Sequence, residues 1–398
     1  MKRIKKSFYV FLLTVIAAAA IGCAVFKDAP NARIYAAEKK VEADMALASK
    51  SAYLADFNTG TELYSKNPDQ KLKIASMVKI MTLLLSFEAV DSGVISLDTE
   101  VQVSENASGM GGSQVYLDAN TVHPVRQLLK AMTVCSANDA SVAMAETVAG
   151  SEEIFVARMN ERAKELGMEN TLFSNCTGLP TDTEQYCTAR DASKMFRELL
   201  KHKGYFEFTK IWLEDYTHPD GRTTEMTNTN KLVRFYKGCD AGKTGFTQQS
   251  MYCISASAMN NNMRTVAVVM GAETSQKRFE DVKKLFNYGF ANFENKRLAV
   301  KGGAVENTIK VKGGKTDTLK TALGEDYYVL GKRGDGAKYT VEYELPEEVK
   351  AKITEGQTVG TAVVKKDGAE IARVNIVAAE AVEKSGFFDG IKKIIGKW

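Results

Sequence analysis

The chain has 398 residues, 44% of them hydrophobic and 26% charged, which excludes a disordered or fibrous protein and leaves room for two or three domains. Its formal charge of +4 does not mark a nucleic-acid binder, because residues 1–36 hold six basic residues against Asp28 and the remainder carries no dominant basic patch. With three histidines and no His-Glu-x-x-His string, metal-assisted hydrolysis has no support and no cofactor is expected.

Lys2, Arg3, Lys5 and Lys6 precede an apolar run from Phe8 to Phe26. A cationic head followed by an apolar stretch is the secretory pattern. Residues 1–36 are therefore read as a signal peptide, cleaved after Ala36. Two alternatives stay open: lipidation at Cys23, which follows Ala20-Ile21-Gly22, and retention of the apolar run as a membrane span. Either way the protein is expected outside the cell, on the outer face of the cytoplasmic membrane. Five cysteines follow this segment: Cys135, Cys176, Cys187, Cys239 and Cys253. An odd count argues against a full disulfide framework. Cys176 and Cys187 are the first candidates for a pair, but five small buried apolar residues is the preferred reading.

Ser51 to Phe57 reads as a strand, turned back at Asn58-Thr59-Gly60 into a second strand over Thr61 to Ser65. Apolar period then predicts helices over Lys79–Val90, Val125–Val134, Asp139–Ala149 and Glu152–Leu166. Three strands follow at Asp240–Thr247, Met251–Ala258 and Arg264–Gly271, with Asn260-Asn261-Asn262 turning between the last two. A closing helix spans Ser275 to Phe293. Strands at both ends with helices between imply a mixed α+β domain over residues 40–298, whose sheet pairs the first hairpin with the three late strands.

From about Leu298 helical patterns vanish. Short alternating runs at Asn307–Val311, Tyr327–Leu330, Tyr339–Leu345, Val359–Lys365 and Ile371–Val377, divided by glycine-rich turns, predict a small β-sandwich or barrel over residues 299–380. Residues 384–398 place Phe387, Phe388, Ile391, Ile394, Ile395 and Trp398 on one helical face with Lys392, Lys393 and Lys397 around it. Such a helix suits the plane of a membrane surface. A helix docked on the β domain is the plainer alternative.

Three short strings carry the chemistry: Ser76-Met77-Val78-Lys79, Ser136-Ala137-Asn138 and Lys243-Thr244-Gly245. Each alone is common. Together, in this order and on these elements, they fit acyl transfer through a serine whose base is a lysine. Ser76 is the candidate nucleophile and needs a base. Lys79, one helical turn away, can serve if burial and a second cation, Lys243, lower its pKa. Ser136 can relay a proton between Lys79 and the leaving nitrogen. Asn138 can hold a substrate amide. Lys243 and Thr244 suit a substrate carboxylate, and Gly245 lets the strand backbone approach the substrate. The backbone N–H groups of Ser76 and Phe246 are the oxyanion-hole candidates. The bland alternatives are that Ser76 and Ser136 cap helices, that Lys243 is a surface charge, and that Cys135 is an unactivated thiol.

At these strings the chain resembles the penicillin-binding-protein and serine β-lactamase superfamily. Within it the resemblance is to low-molecular-weight, serine-type D-alanyl-D-alanine carboxypeptidases of the peptidase S11 family. It covers most of residues 40–380 and extends to Thr177-Gly178-Leu179-Pro180, Gln185-Tyr186, Thr188-Ala189-Arg190-Asp191 and Asn228-Thr229-Asn230. The resemblance implies a β-lactamase/transpeptidase-like domain, an antiparallel sheet with helices on both faces. It also implies a C-terminal β domain, an amphipathic anchor, peptidoglycan stem peptides as substrates and acylation by β-lactam antibiotics. Ala137 stands where many members have glycine, Phe246 where several have histidine and Val78 where threonine is commoner. None of these removes a reacting group.

Rival functions share parts of this set. A class A β-lactamase would carry a Glu-x-x-Leu-Asn string between the second and third motifs, and none is present. An endopeptidase would use the same residues. A non-catalytic wall-binding module would not need Ser76, Lys79 and Lys243 intact.

Overall fold

The computed structural model describes residues 45–386. In chain order the labelled elements begin with the hairpin β1 (Ser51–Asp56) and β2 (Glu62–Lys66) and helix α1 (Lys79–Asp91). Next come β3 (Glu100–Gln102), β4 (Val122–Pro124), α2 (Val125–Val134), α3 (Asn138–Ala149), α4 (Glu152–Glu165) and α5 (Ala189–Leu199). A second hairpin, β5 (Leu213–Thr217) and β6 (Thr223–Thr227), precedes β7 (Cys239–Thr247), β8 (Met251–Asn260), β9 (Met263–Ala272) and α6 (Ser275–Asn292).

The main sheet has the order β2-β1-β9-β8-β7, antiparallel throughout, so the first hairpin joins the three late strands as expected. Alternation sorts the central strands between two cores. Tyr53, Ala55, Val266, Val268 and Met270 face the helices α1 to α5. Ala52, Leu54, Ala267 and Val269 face α6, which covers them with Phe279, Val282, Leu285 and Phe286. With both faces covered, every residue of β1 is buried. Asn261 and Asn262 take φ of 46° and 64° between β8 and β9, the left-handed conformation that asparagine tolerates.

The remaining strands are β10 (Phe293–Ala299), β11 (Ala304–Lys312), β12 (Thr318–Leu323), β13 (Tyr327–Lys332), β14 (Tyr339–Glu344), β15 (Glu348–Lys350), β16 (Thr358–Lys366) and β17 (Ala369–Ala378). They form a pair, β10-β13, and a six-stranded sheet, β14-β16-β17-β12-β11-β15. The boundary expected at 298/299 falls inside β10, whose ladder to β13 ties it to the β domain. Its alternation was hidden by the charged run Glu294-Asn295-Lys296-Arg297. The anchor helix expected from Lys384 does not begin there. Lys384 bridges to Gly314 and the Ser385 N–H donates to Gly313 O, so these residues extend the β domain. Residues 387–398, like the signal peptide, the 1–36 cleavage site and Cys23, lie outside the described residues.

Candidate active site

The loop before α1 is pulled tight. Ala75–Val78 forms a 3₁₀ turn and the α-helix starts only at Lys79, so Ser76 precedes the first α-helical turn rather than sitting in it. Ala75 has φ of 48°, a left-handed conformation costly for a residue with a Cβ. In the 3₁₀ geometry residues three apart eclipse, and Lys79 Nζ lies 3.1 Å from Ser76 Oγ. Neither Ser76 nor Ser136 caps a helix, since neither the turn nor α3 has a side-chain cap.

Lys79 is fully buried. Its Nζ has two further neighbours, Asn138 Oδ1 at 2.5 Å and the Thr177 carbonyl at 2.7 Å. Asn138 Nδ2 donates to Gly111 O at 2.6 Å, which fixes Oδ1 as the atom facing the lysine. Both neighbours are acceptors only. A neutral amine has two N–H bonds and one lone pair. The two oxygens take the N–H bonds, and the lone pair is left for the Ser76 hydroxyl. Burial pulls the Lys79 pKa down to about 7, so a large fraction is neutral at physiological pH. Of the two causes expected from the sequence, burial and the Lys243 cation, burial is the principal one.

Lys243 is also fully buried. Nζ donates to Ser136 Oγ at 2.7 Å and to the Thr244 carbonyl at 3.1 Å. Burial, and next the charge of Lys79, hold its pKa well below the ordinary lysine value. Asn138 has both amide atoms engaged inside the protein and orients Lys79, and Lys243, enclosed and bonded to Ser136, positions that hydroxyl. Ser136 hangs from Lys243, not from Lys79, and sits at φ of 68°. Thr244 is buried, while Phe246 is 52% exposed and stacks on Tyr252 at 4.3 Å between centroids.

Gly245 and Gly178 set the closeness of the parts. A methyl built on Gly245 would stand 2.3 Å from Ile74 O and 3.2 Å from Ser76 N; one on Gly178 would stand 2.0 Å from Ala75 O. Strand β7 and the Thr177–Gly178 loop therefore clamp the serine turn from two sides. The next residue on β7, Phe246, follows directly from this contact with the Ser76 amide.

Three supports were not among the sequence candidates. Asp139 accepts from the Val115 and Leu117 N–H groups and fastens the loop that carries Gly111. The Thr177 carbonyl lies in a stretch already singled out, but a carbonyl has no sequence signature. Arg278, buried on α6, donates to the Gly245 and Cys253 carbonyls behind β7, and burial lowers its pKa to about 10. All five described cysteines are free, Cys176 and Cys187 included. Burial pushes Cys135 up to about 11, so it is an inert neighbour. His123 and His218 join Tyr216 in an aromatic cluster, and His202 pairs with Asp91; none touches Ser76.

The comparisons with known proteins agree with this geometry. Residues 37–274 match the profile of the peptidase S11 family, described as D-alanyl-D-alanine carboxypeptidase, and residues 293–384 match the C-terminal domain of penicillin-binding protein 5. The chain belongs to this family of serine hydrolases. It is 40% identical over 380 residues to D-alanyl-D-alanine carboxypeptidase DacF of Bacillus subtilis, covering 95% of this chain and 97% of that one. Penicillin-binding protein 5 from Haemophilus influenzae superposes with a TM-score of 0.65 at 31% identity, over 85% of this chain and 98% of its own. Penicillin-binding protein D2 from Listeria monocytogenes, solved in its ampicillin-bound form, gives 0.56 at 30% identity over 62% of this chain and 100% of its own.

Proposed function

We propose that this chain removes the terminal D-alanine from peptidoglycan pentapeptides through an acyl-enzyme on Ser76, and that β-lactams acylate the same hydroxyl. The observation that carries the roles is the arrangement around Lys79 Nζ, whose lone pair is left to Ser76 once Asn138 Oδ1 and the Thr177 carbonyl hold its two N–H bonds. Ser76 attacks the carbonyl between the two D-alanines and its proton passes to Lys79. The oxyanion is received by the Ser76 and Phe246 N–H groups. The leaving nitrogen takes a proton from Ser136, which Lys243 holds in place and which regains one from the lysine cluster. D-Alanine departs. Water then attacks the ester and gives a proton to Lys79; as the ester bond breaks, Lys79 passes that proton to the departing Ser76 oxygen, and the shortened peptide leaves with the serine and the neutral amine restored. The substrate carboxylate lies at the Thr244 hydroxyl, under the positive field of Arg278.

Residues 1–36 act as the export signal. A catalytic domain, a β domain and an amphipathic anchor after them support the reading of an enzyme held at the outer face of the cytoplasmic membrane and acting in cell-wall maturation. The aromatic and lysine residues of 387–398 support the anchor.

Incubation with a pentapeptide ending in D-Ala-D-Ala, followed by mass spectrometry of peptide and protein, tests the reading. One alanine lost and a transient adduct on Ser76 are expected. Equal labelling of wild type and Ser76→Ala by fluorescent penicillin would end it.

A further inference from the structure

Beside Ser76 lies a cavity lined by Lys73, Ala75, Gly178, Gln185, Thr247 and Gln249, among others. Its place along β7 decides which part of a substrate it meets. Gly245 packs against the Ser76 turn. Lys243 and Thr244 precede it on the strand; Thr247 and Gln249 follow it. If the terminal carboxylate lies at Thr244, as in the function proposed above on which this inference rests, the acyl half of the peptide runs past Thr247 and alongside this cavity.

The lining presents donors in search of an acceptor. Gln185 is 8% exposed. Its Oε1 accepts from the N–H groups of Ser174 at 3.0 Å and Asn175 at 3.3 Å and from the Ser174 hydroxyl at 3.4 Å. Those donors fix that atom as the oxygen. The other end, Nε2, has no acceptor among the described residues. Lys73 Nζ donates to the neutral Gln249 Oε1 at 2.6 Å and has no carboxylate within ion-pair distance among the described residues. Asp182 and Glu184, on the same loop as Gln185, neither line the cavity nor pair with Lys73. Lys71 adds a second cation nearby, over the Tyr186 ring at 4.5 Å. A cation and an amide donor on a largely buried side chain, neither with an anionic partner, match a charged oxygen acceptor, whose hydrogen bonds are the stronger kind.

We propose that this cavity, with about 20 Å³ of free space, receives only the terminal carboxylate of the side chain immediately upstream of D-Ala-D-Ala, held at its rim by Lys73 and Gln185. Gln249 gives up its bond to Lys73 when the substrate enters. A pentapeptide with a carboxylated diamino acid at that position is then the preferred substrate, and one with lysine there meets a like charge. Because Lys73 is exposed, solvent screens the contact and the preference is about three- to tenfold.

The test compares two pentapeptides that differ only in that side-chain terminus, carboxylate against carboxamide, by D-alanine release. The ratio of their kcat/KM values is read within each protein, so a general loss of activity in a variant does not affect it. Wild type is expected to favour the carboxylate about three- to tenfold. Lys73→Gln brings the ratio near one, Lys73→Glu inverts it, and Lys73→Arg keeps it. A wild-type ratio of one, or the same preference surviving in Lys73→Gln, overturns the proposal. Failure to release D-alanine from either peptide would instead overturn the carboxypeptidase reading.

Discussion

Acylation depends on a neutral Lys79, so its pH dependence is calculable. The free amine titrates at about 7 because it is buried. Below that pH each unit removes about nine tenths of the neutral form, so acylation at pH 5 falls about 100-fold below its plateau. Asn138→Asp replaces the amide nitrogen that donates to Gly111 O by an oxygen and puts a carboxylate charge on the group 2.5 Å from Nζ. An opposite charge at that range favours the ammonium and moves its pKa up by about 1–3 units. The neutral fraction at pH 7 drops from about half to between about 10% and 0.1%, so acylation slows about 5- to 500-fold there. It recovers as the pH is raised towards 9 or 10. The assay is the single-turnover rate of fluorescent penicillin acylation from pH 5 to 10 for both proteins. The recovery at high pH separates a moved titration from a damaged fold. A wild-type rate that stays flat down to pH 5, or a variant midpoint that does not move upward, refutes the assignment of Lys79 as the base.

Gly245→Ala places a methyl 2.3 Å from the Ile74 carbonyl; β7 must retreat by about 1 Å, and acylation is expected to fall about 100-fold, read with the same penicillin probe. Asp139→Ala leaves the Val115 and Leu117 amides without their buried acceptor, a loss of about 2–6 kcal/mol measurable by urea unfolding. Ala75→Gly relieves left-handed strain worth about 1–2 kcal/mol against a glycine entropy cost of about 0.5–1 kcal/mol. Its unfolding free energy should therefore hold or rise, and a fall of more than about 1 kcal/mol would contradict the strain at φ of 48°.

What the sequence disclosed and what it hid divide along physical lines. The Ser76–Lys79 spacing is local, so it could be read directly. The strands β8 and β9 were legible because long apolar runs survive burial on both faces, whereas β7 has no such run and buries Asp240, Lys243 and Thr244. The β5-β6 hairpin was not, since each of its strands buries a single residue, Tyr216 and Met226, and shows no apolar alternation. Helix α5 was missed although Thr188-Ala189-Arg190-Asp191 was singled out; Thr188 Oγ1 accepts from the Asp191 N–H, a capping signal that could have found it. The internal engagement of Asn138 and Lys243 joins positions 59 and 107 residues apart. No spacing rule reports whether such a side chain faces a substrate or another side chain.

The serine–lysine pair itself is less local than its spacing suggests. In an ordinary α-helix, residues three apart have Cβ atoms about 5–6 Å apart, and both side chains are free to choose solvent. Here a 3₁₀ turn eclipses them, and that turn is imposed from outside. Gly178 touches Ala75 O, and Gly245 touches Ile74 O; Met77 and Val78 are wholly buried beneath. Two non-glycine residues at positive φ, Ala75 and Ser136, flank the reacting groups, each at a cost of about 1–3 kcal/mol. Such strain persists only where packing over-determines it, and it is the packing that also dries the lysines and lowers their pKa. The two glycines, the buried turn and the titration of Lys79 are therefore one device: any change that lets the turn relax also lets water reach the amine and returns it to the charged, inactive form.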